Sequence, residues 1–170
     1  MKIAIYGPMC SGKTTVAEII KELDDRYEIY SFGKKIKELA SELFDMQGKD
    51  RSLLINIADK MRSIDKDVWT KYLVKQTSES EFCLIDDLRH QNELDDLEGW
   101  KIICLITSEE VRIQRLKELY PENYEDHIRN MTHTSETDKL NFNEKETIYL
   151  DTNTDYETLK EFLQICLKRV

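Results

Sequence analysis

The chain has 170 residues, 35% charged and 40% hydrophobic, with a formal net charge of −9 and a pI near 5.0. That is enough chain for one domain with a real core and too little for two. The acidic balance argues against nucleic-acid partners, which need a basic footprint. No apolar run approaches the roughly 20 residues of a membrane span, so no membrane partner and a cytoplasmic location are expected. Cys10, Cys83, Cys104 and Cys166 show no C-x-x-C pairing, and His90, His127 and His133 do not join them at ligand spacing. Reduced thiols, without a disulfide framework or structural metal, are the expectation.

In chain order, apolar runs of strand length fall at Lys2–Tyr6, Glu28–Phe32, Phe82–Ile85, Lys101–Ile106 and Thr147–Leu150. Segments of helical period separate them. Val16, Ile19, Ile20 and Leu23 make one apolar face, and Ile36, Leu39, Ala40 and Leu43 a second. Leu53, Leu54, Ile57, Ala58 and Met61 make a third, and Val68, Trp69, Tyr72 and Leu73 a fourth. Thr107-Ser108-Glu109-Glu110 has the form of a capped helix start, running to about Leu119. The last amphipathic stretch is Tyr156 to Leu167. Apolar strands alternating with helices predict a three-layer α/β/α fold around a parallel sheet of about five strands. Tyr120 to Asn143 breaks the pattern: it is polar, carries Pro121 and has little periodicity, which marks it as a candidate mobile lid.

Gly7-Pro-Met-Cys-Ser-Gly12-Lys13-Thr14 fits G-x-x-x-x-G-K-[ST] in full, after a predicted strand and at a helix start. Its backbone N–H groups, from Gly7 through Cys10, Ser11 and Gly12 to Thr15, are expected to cradle the phosphates of a triphosphate. Lys13 would reach the β- and γ-phosphates and the Thr14 hydroxyl would ligate Mg²⁺, so ATP and Mg²⁺ are the expected cofactors.

A second constellation, "CLIDDLRHQNE" at 83–93, ends an apolar strand in Asp86-Asp87. Either carboxylate could hold the Mg²⁺ water shell or orient the attacking oxygen, and Arg89 suits a bidentate grip on phosphate. Arg112 and Arg115 share one helical face, and Arg129 lies in the polar segment. Arginines over a γ-phosphate neutralise charge in the transition state, against the alternative of solvated surface arginines. Lys34, Lys35 and Lys37 follow the second strand, where an acceptor pocket would open. Trp69 reads either as core or as a platform for a base.

Beyond the phosphate loop, the ordered motifs resemble the deoxynucleoside monophosphate kinase family of phages and large DNA viruses. "SFGKKIKELASELF" (31–44) resembles its S-F-A-x-x-L-K-x-x-A segment, and "GKDRSLL" (48–54) and "MRSIDKDVWTKYL" (61–73) its next two helices with the D-x-W pattern. "DDLRHQNE" (86–93) is similar to D-V-R-x-x-N-E, aligning Asp87, Arg89, Asn92 and Glu93, and "HTSET" (133–137) to H-x-S-E. The resemblance implies an adenylate-kinase-like single domain over 1–170, with an acceptor-binding helical insertion at about 33–78 and a lid at about 120–136. It implies acceptor contacts from Phe32, Lys37, Arg62, Trp69, Arg89 and Asn92, and Asp87 as the family acid, with Asp86 extra. Arg112, Arg115 and Arg129 take lid, lid-hinge or donor roles, and Asn153 and Thr154 lie where adenine would sit. The chain has Gly33 where the family commonly has Ala, and Lys35 where it often has Pro.

The implied activity is transfer of the ATP γ-phosphate to a deoxynucleoside monophosphate, with small-molecule nucleotides as partners. A viral source would make the host cytoplasm the location, and the resemblance is compatible with a homodimer. Phosphomevalonate kinase and dephospho-coenzyme A kinase share the core. A nucleotide-sensing P-loop module and a nucleic-acid-end kinase are the alternatives from other classes.

Overall fold

Ile3, Ala4 and Ile5 are all buried, so the first strand has no solvent face and must be covered on both sides. The computed structural model describes residues 1–48, 50–132, 139–144 and 146–168. In it, β1 (Ile3–Tyr6), β2 (Glu28–Tyr30), β3 (Cys83–Leu88), β4 (Lys101–Ile106) and β5 (Thr147–Asp151) form one parallel sheet in the order β2-β3-β1-β4-β5. The helices among the described residues are α1 (Lys13–Leu23), α2 (Phe32–Phe44), α3 (Arg51–Ile64), α4 (Val68–Thr77), α5 (Gln91–Asp95), α6 (Glu109–Leu119), α7 (Tyr124–Arg129) and α8 (Tyr156–Lys168).

Two apolar cores flank the sheet. One joins Ile3, Ile5, Leu84, Ile103 and Leu150 to Val16, Ile19 and Ile20 of α1 and to Leu159 and Leu163 of α8. The other joins Ala4, Cys83, Ile85 and Ile102 to Phe32 and Ile36 of α2, Leu54 and Ala58 of α3, and Trp69 and Leu73 of α4. Strand residues alternate between the two cores, which is why the strand sequences are apolar without polar alternation. Each fully buried Ile or Leu contributes about 1.5–3 kcal/mol of transfer free energy.

Local signals set several ends. Ser108 caps α6, its hydroxyl accepting the Val111 N–H at 3.3 Å, and the Asp50 carboxylate accepts the Leu53 N–H at 2.9 Å to start α3. α2 stops at Asp45, which adopts a left-handed conformation (φ 50°) and returns its N–H to the Ala40 carbonyl. Leu43, expected on an apolar face, is 69% exposed in the last turn of α2.

Three expectations are corrected. β2 ends at Tyr30, because Ser31 and Phe32 are drawn into the start of α2. β3 runs on to Leu88, past the expected end of the apolar run at Ile85, so Asp86 and Asp87 lie inside the strand near its C-terminal edge. Within 120–143, expected to lack periodicity, Tyr124–Arg129 is helical and buries His127 in a ring stack on Tyr120. His133 and the rest of the H-x-S-E resemblance lie outside the described residues.

Cys83 and Cys104 are free thiols buried in β3 and β4, and burial pushes the Cys104 thiol up to about 11. No helix of the described residues is long and apolar enough to cross a membrane.

Candidate active site

The turn after β1 cannot carry a side chain at its first position. A Cβ on Gly7 would lie 2.5 Å from the Ser11 hydroxyl and 3.0 Å from Leu105 Cβ, so the loop closes against β4 only with glycine there. Cys10 (φ 58°) and Gly12 (φ 95°) then turn the chain through left-handed conformations into α1. No side chain caps that helix and no acid sits in its first turn, which leaves its positive end open to an anion. Lys13 Nζ folds back over the loop, donating to the Gly7 and Pro8 carbonyls at 2.6 and 2.8 Å.

The back of this loop is bolted to the ends of β4 and β5. Arg115 donates to the Cys10 carbonyl at 3.2 Å and to the Thr152 carbonyl at 2.6 Å. The hydroxyls of Thr107 and Thr152 both donate to the Ser11 carbonyl, at 3.3 and 2.8 Å. Asn153 Oδ1 accepts the Ser108 N–H, closing the same corner, and Thr154 lines the cleft. Arg115, expected as a lid or catalytic arginine, holds the loop in place and also lines the cleft.

β1 and β3 run side by side, but their register slips. Ala4 pairs with Ile85 while Tyr6 pairs with Leu88, so β3 carries one extra residue opposite Ile5. That bulge falls on Asp86-Asp87 and lets both neighbouring carboxylates line the same cleft, which regular alternation would not. They do different things there. Asp87 accepts from the Ser31 hydroxyl (2.7 Å) and from the Phe32 (2.9 Å) and Gly33 (2.8 Å) N–H groups, capping α2 from the neighbouring strand. A Cβ on Gly33 would stand 3.1 Å from Asp87 Oδ2, so glycine there leaves this carboxylate its room. Asp86 keeps Oδ1 buried with no hydrogen-bond partner among the described residues. Burial and the neighbouring Asp87 charge push its carboxyl up to about 6, against the pull of Lys13 and Lys37.

These groups border a cleft of about 500 Å³. One half holds Gly12, Lys13, Thr14 and Thr15, and the other runs between α2 and α3. From α2 come Phe32, Ile36 and Lys37; from α3 come Arg51, Leu54, Ile55, Ala58, Asp59 and Arg62. These six follow the i, i+3, i+4, i+7, i+8, i+11 spacing of one helical face. Arg89, His90 and Glu93 close that half.

Of the acceptor candidates, the structure therefore brings Phe32, Lys37, Arg62 and Arg89 to the cleft. Trp69 is 3% exposed and donates its indole N–H to the Ala58 carbonyl at 3.2 Å, a core role outside the cleft. Trp69→Phe should lower stability by about 1–2 kcal/mol without moving any ligand affinity; thermal melts and titrations measured in parallel check this. Asn92 also lies outside, tying α5 to the Lys66 carbonyl and the Asp67 carboxylate. Arg112 is not in the lining either, and Arg129 is 77% exposed on its side chain and paired with Asp126. Arg51, Asp59 and His90 escaped the sequence reading, although the helical spacing of 51, 54, 55, 58, 59 and 62 was available to find the first two.

Comparison with known proteins agrees with this architecture. The model of the family described as "AAA domain" matches residues 3–159. Among solved structures, a gluconokinase from Sinorhizobium meliloti 1021 superposes with a TM-score of 0.64 at 16% identity, over 99% of this chain and 91% of that one. A deoxyadenosine kinase from M. mycoides, solved with dCMP and dCDP, gives 0.57 at 18% identity over all of both chains. Shikimate kinase from Aquifex aeolicus gives 0.55 at 18% identity, over 99% of this chain and 96% of that one. No curated protein sequence matches the chain. The fold is the three-layer P-loop kinase fold, and the chain belongs to the AAA domain family.

Proposed function

We propose that the protein is an ATP-dependent deoxynucleoside monophosphate kinase. The observation that carries this reading is the face of α3: an apolar stretch of Leu54, Ile55 and Ala58, opposed by Phe32 and Ile36 and ended by Arg51 and Arg62. A flat base fits an apolar slot, and a phosphate fits arginines. A polyol acid would need hydroxyl partners along the middle of the slot, where these side chains offer none.

The donor half fits ATP with Mg²⁺: an open helix end, Lys13 and Thr14, and a buried Asp86 oxygen lacking a partner among the described residues. Thr14 directly and Asp86 through water would hold the ion, and it would supply charge neutralisation across the β- and γ-phosphates.

The chain's own residues do the rest. Lys13 exchanges its two loop carbonyls for phosphate oxygens. Arg62 and Arg89 grip the acceptor phosphate, and Asp87 fixes the start of α2, and with it Phe32. An acceptor phosphate oxygen then forms the new bond to the γ-phosphorus while the bond to ADP breaks. That oxygen is ionised at neutral pH, so no general base is required. The segment near 120–136 serves as the lid that excludes water, and about 33–78 as the acceptor-binding region.

Calorimetric titration tests the acceptor half. Deoxynucleoside monophosphates should bind while gluconate and shikimate do not, and Arg89→Ala should weaken that binding about tenfold or more. Equal affinity of the variant would remove Arg89 from the pocket.

A further inference from the structure

We propose that Glu93 is a positioning residue for the acceptor half: one buried carboxylate sets both phosphate-gripping arginines, Arg62 and Arg89, where β3, α3 and α5 converge. This rests on the reading of that half as an anion-acceptor site.

Glu93 is 2% exposed, an unusual state for an acid unless several donors meet it. Its Oε2 accepts the backbone N–H groups of Arg89 at 2.8 Å and His90 at 3.0 Å, fixing the chain as it leaves β3. Its Oε1 accepts from Arg62 Nη2 at 3.3 Å, pinning the last cleft-facing residue of α3. The other side of that guanidinium meets Asp59 at 3.4 Å, so two carboxylates hold it in one orientation.

Capping alone does not account for this arrangement. Glu93 Oε2 closes a capping box with His90 at the start of the five-residue α5, and its second oxygen is left over from that cap to meet Arg62. The buried carboxylate takes two backbone donors on one oxygen and a guanidinium on the other. Helix α3 and the β3–α5 turn thereby share one fixed point. Arg62 and Arg89 are far apart in sequence, and a grip on one phosphate needs them in a constant relative position.

Glu93→Gln keeps the shape and one acceptor oxygen for the backbone donors but turns an amide NH2 toward Arg62 in place of an acceptor. The variant should raise the acceptor KM about tenfold or more while the ATP KM moves less than about twofold. Arg62→Met should have a similar effect, and the double variant should be no worse than about threefold beyond the more impaired single one. Arginine side-chain Nε–H resonances, read without any substrate, should show Arg62 shifted and broadened in Glu93→Gln. A rise of both KM values together with a fall in melting temperature would reduce Glu93 to a helix cap and overturn the proposal. So would independent, multiplicative effects of the two substitutions, or an unchanged Arg62 resonance. If the wild-type protein turns over no monophosphate, the functional reading fails by itself, and the arginine resonances alone decide the role of Glu93.

Discussion

Replacing Lys13 with alanine is expected to cut phosphoryl transfer by about a thousandfold or more while the protein still folds. The ammonium is the cation poised directly over the phosphate loop, held at 2.6 and 2.8 Å by the Gly7 and Pro8 carbonyls. Loss of one preorganised donor at a developing charge costs about 10²–10³ in rate, and loss of a full cation at a transferring phosphoryl group about 10³–10⁵. Stability should change little. The loop remains fixed by Arg115, Thr107 and Thr152, whose bonds to the Cys10, Ser11 and Thr152 carbonyls do not involve Lys13. Single-turnover kinetics with a melting curve on the same preparation check both halves. Near-normal turnover would remove Lys13 from the site.

Asp86→Asn is expected to trade activity for stability. Asp86 is the acid with a buried oxygen lacking a partner among the described residues, so its charge is available to hydrated Mg²⁺. Without it, transfer should fall about 10²–10³-fold, with the deficit shrinking as Mg²⁺ is raised. The same burial makes the charge costly to the empty fold. The carboxyl is raised from 3.8 to about 6, so the folded state holds its proton more tightly than the unfolded chain. That contribution is fully present below about 4 and is lost as pH rises through about 6. At pH 8 the neutral asparagine should therefore stabilise the protein by about 3 kcal/mol, with the gain disappearing near pH 4. Denaturant melts of both proteins at the two pH values read this directly. A variant less stable than wild type at pH 8 would mean that the Asp86 charge is already compensated within the fold.

What could be read from the sequence, and what could not, follows the range of the forces involved. The five strands and the phosphate loop are local signals: contiguous apolar runs, glycines where the backbone turns, and helices with apolar faces of several turns. The division of labour between Asp86 and Asp87 is not local. It arises from a bulge measured against β1, some 80 residues earlier, and from the start of α2, which Asp87 reaches from the neighbouring strand. Trp69 carried an ambiguity for the same reason, since an apolar helical face looks alike whether it meets a core or a ligand. Here the Ala58 carbonyl places its indole in the core. Arg115 was legible as a functional arginine, but its attachment to the Cys10 and Thr152 carbonyls depends on where β4 and β5 end. Helix α7 has six residues, too few turns for a periodic signal to rise above a polar background.

The central claim concerns the acceptor. An ATP-coupled assay across the common deoxynucleoside and ribonucleoside monophosphates, run beside gluconate, shikimate, phosphomevalonate and dephospho-coenzyme A, tests it most directly. ADP formation should be matched one to one by a deoxynucleoside diphosphate, with little turnover of the non-nucleotide acceptors. Turnover confined to a non-nucleotide acceptor, or ADP formation with no phosphorylated product, would contradict the claim.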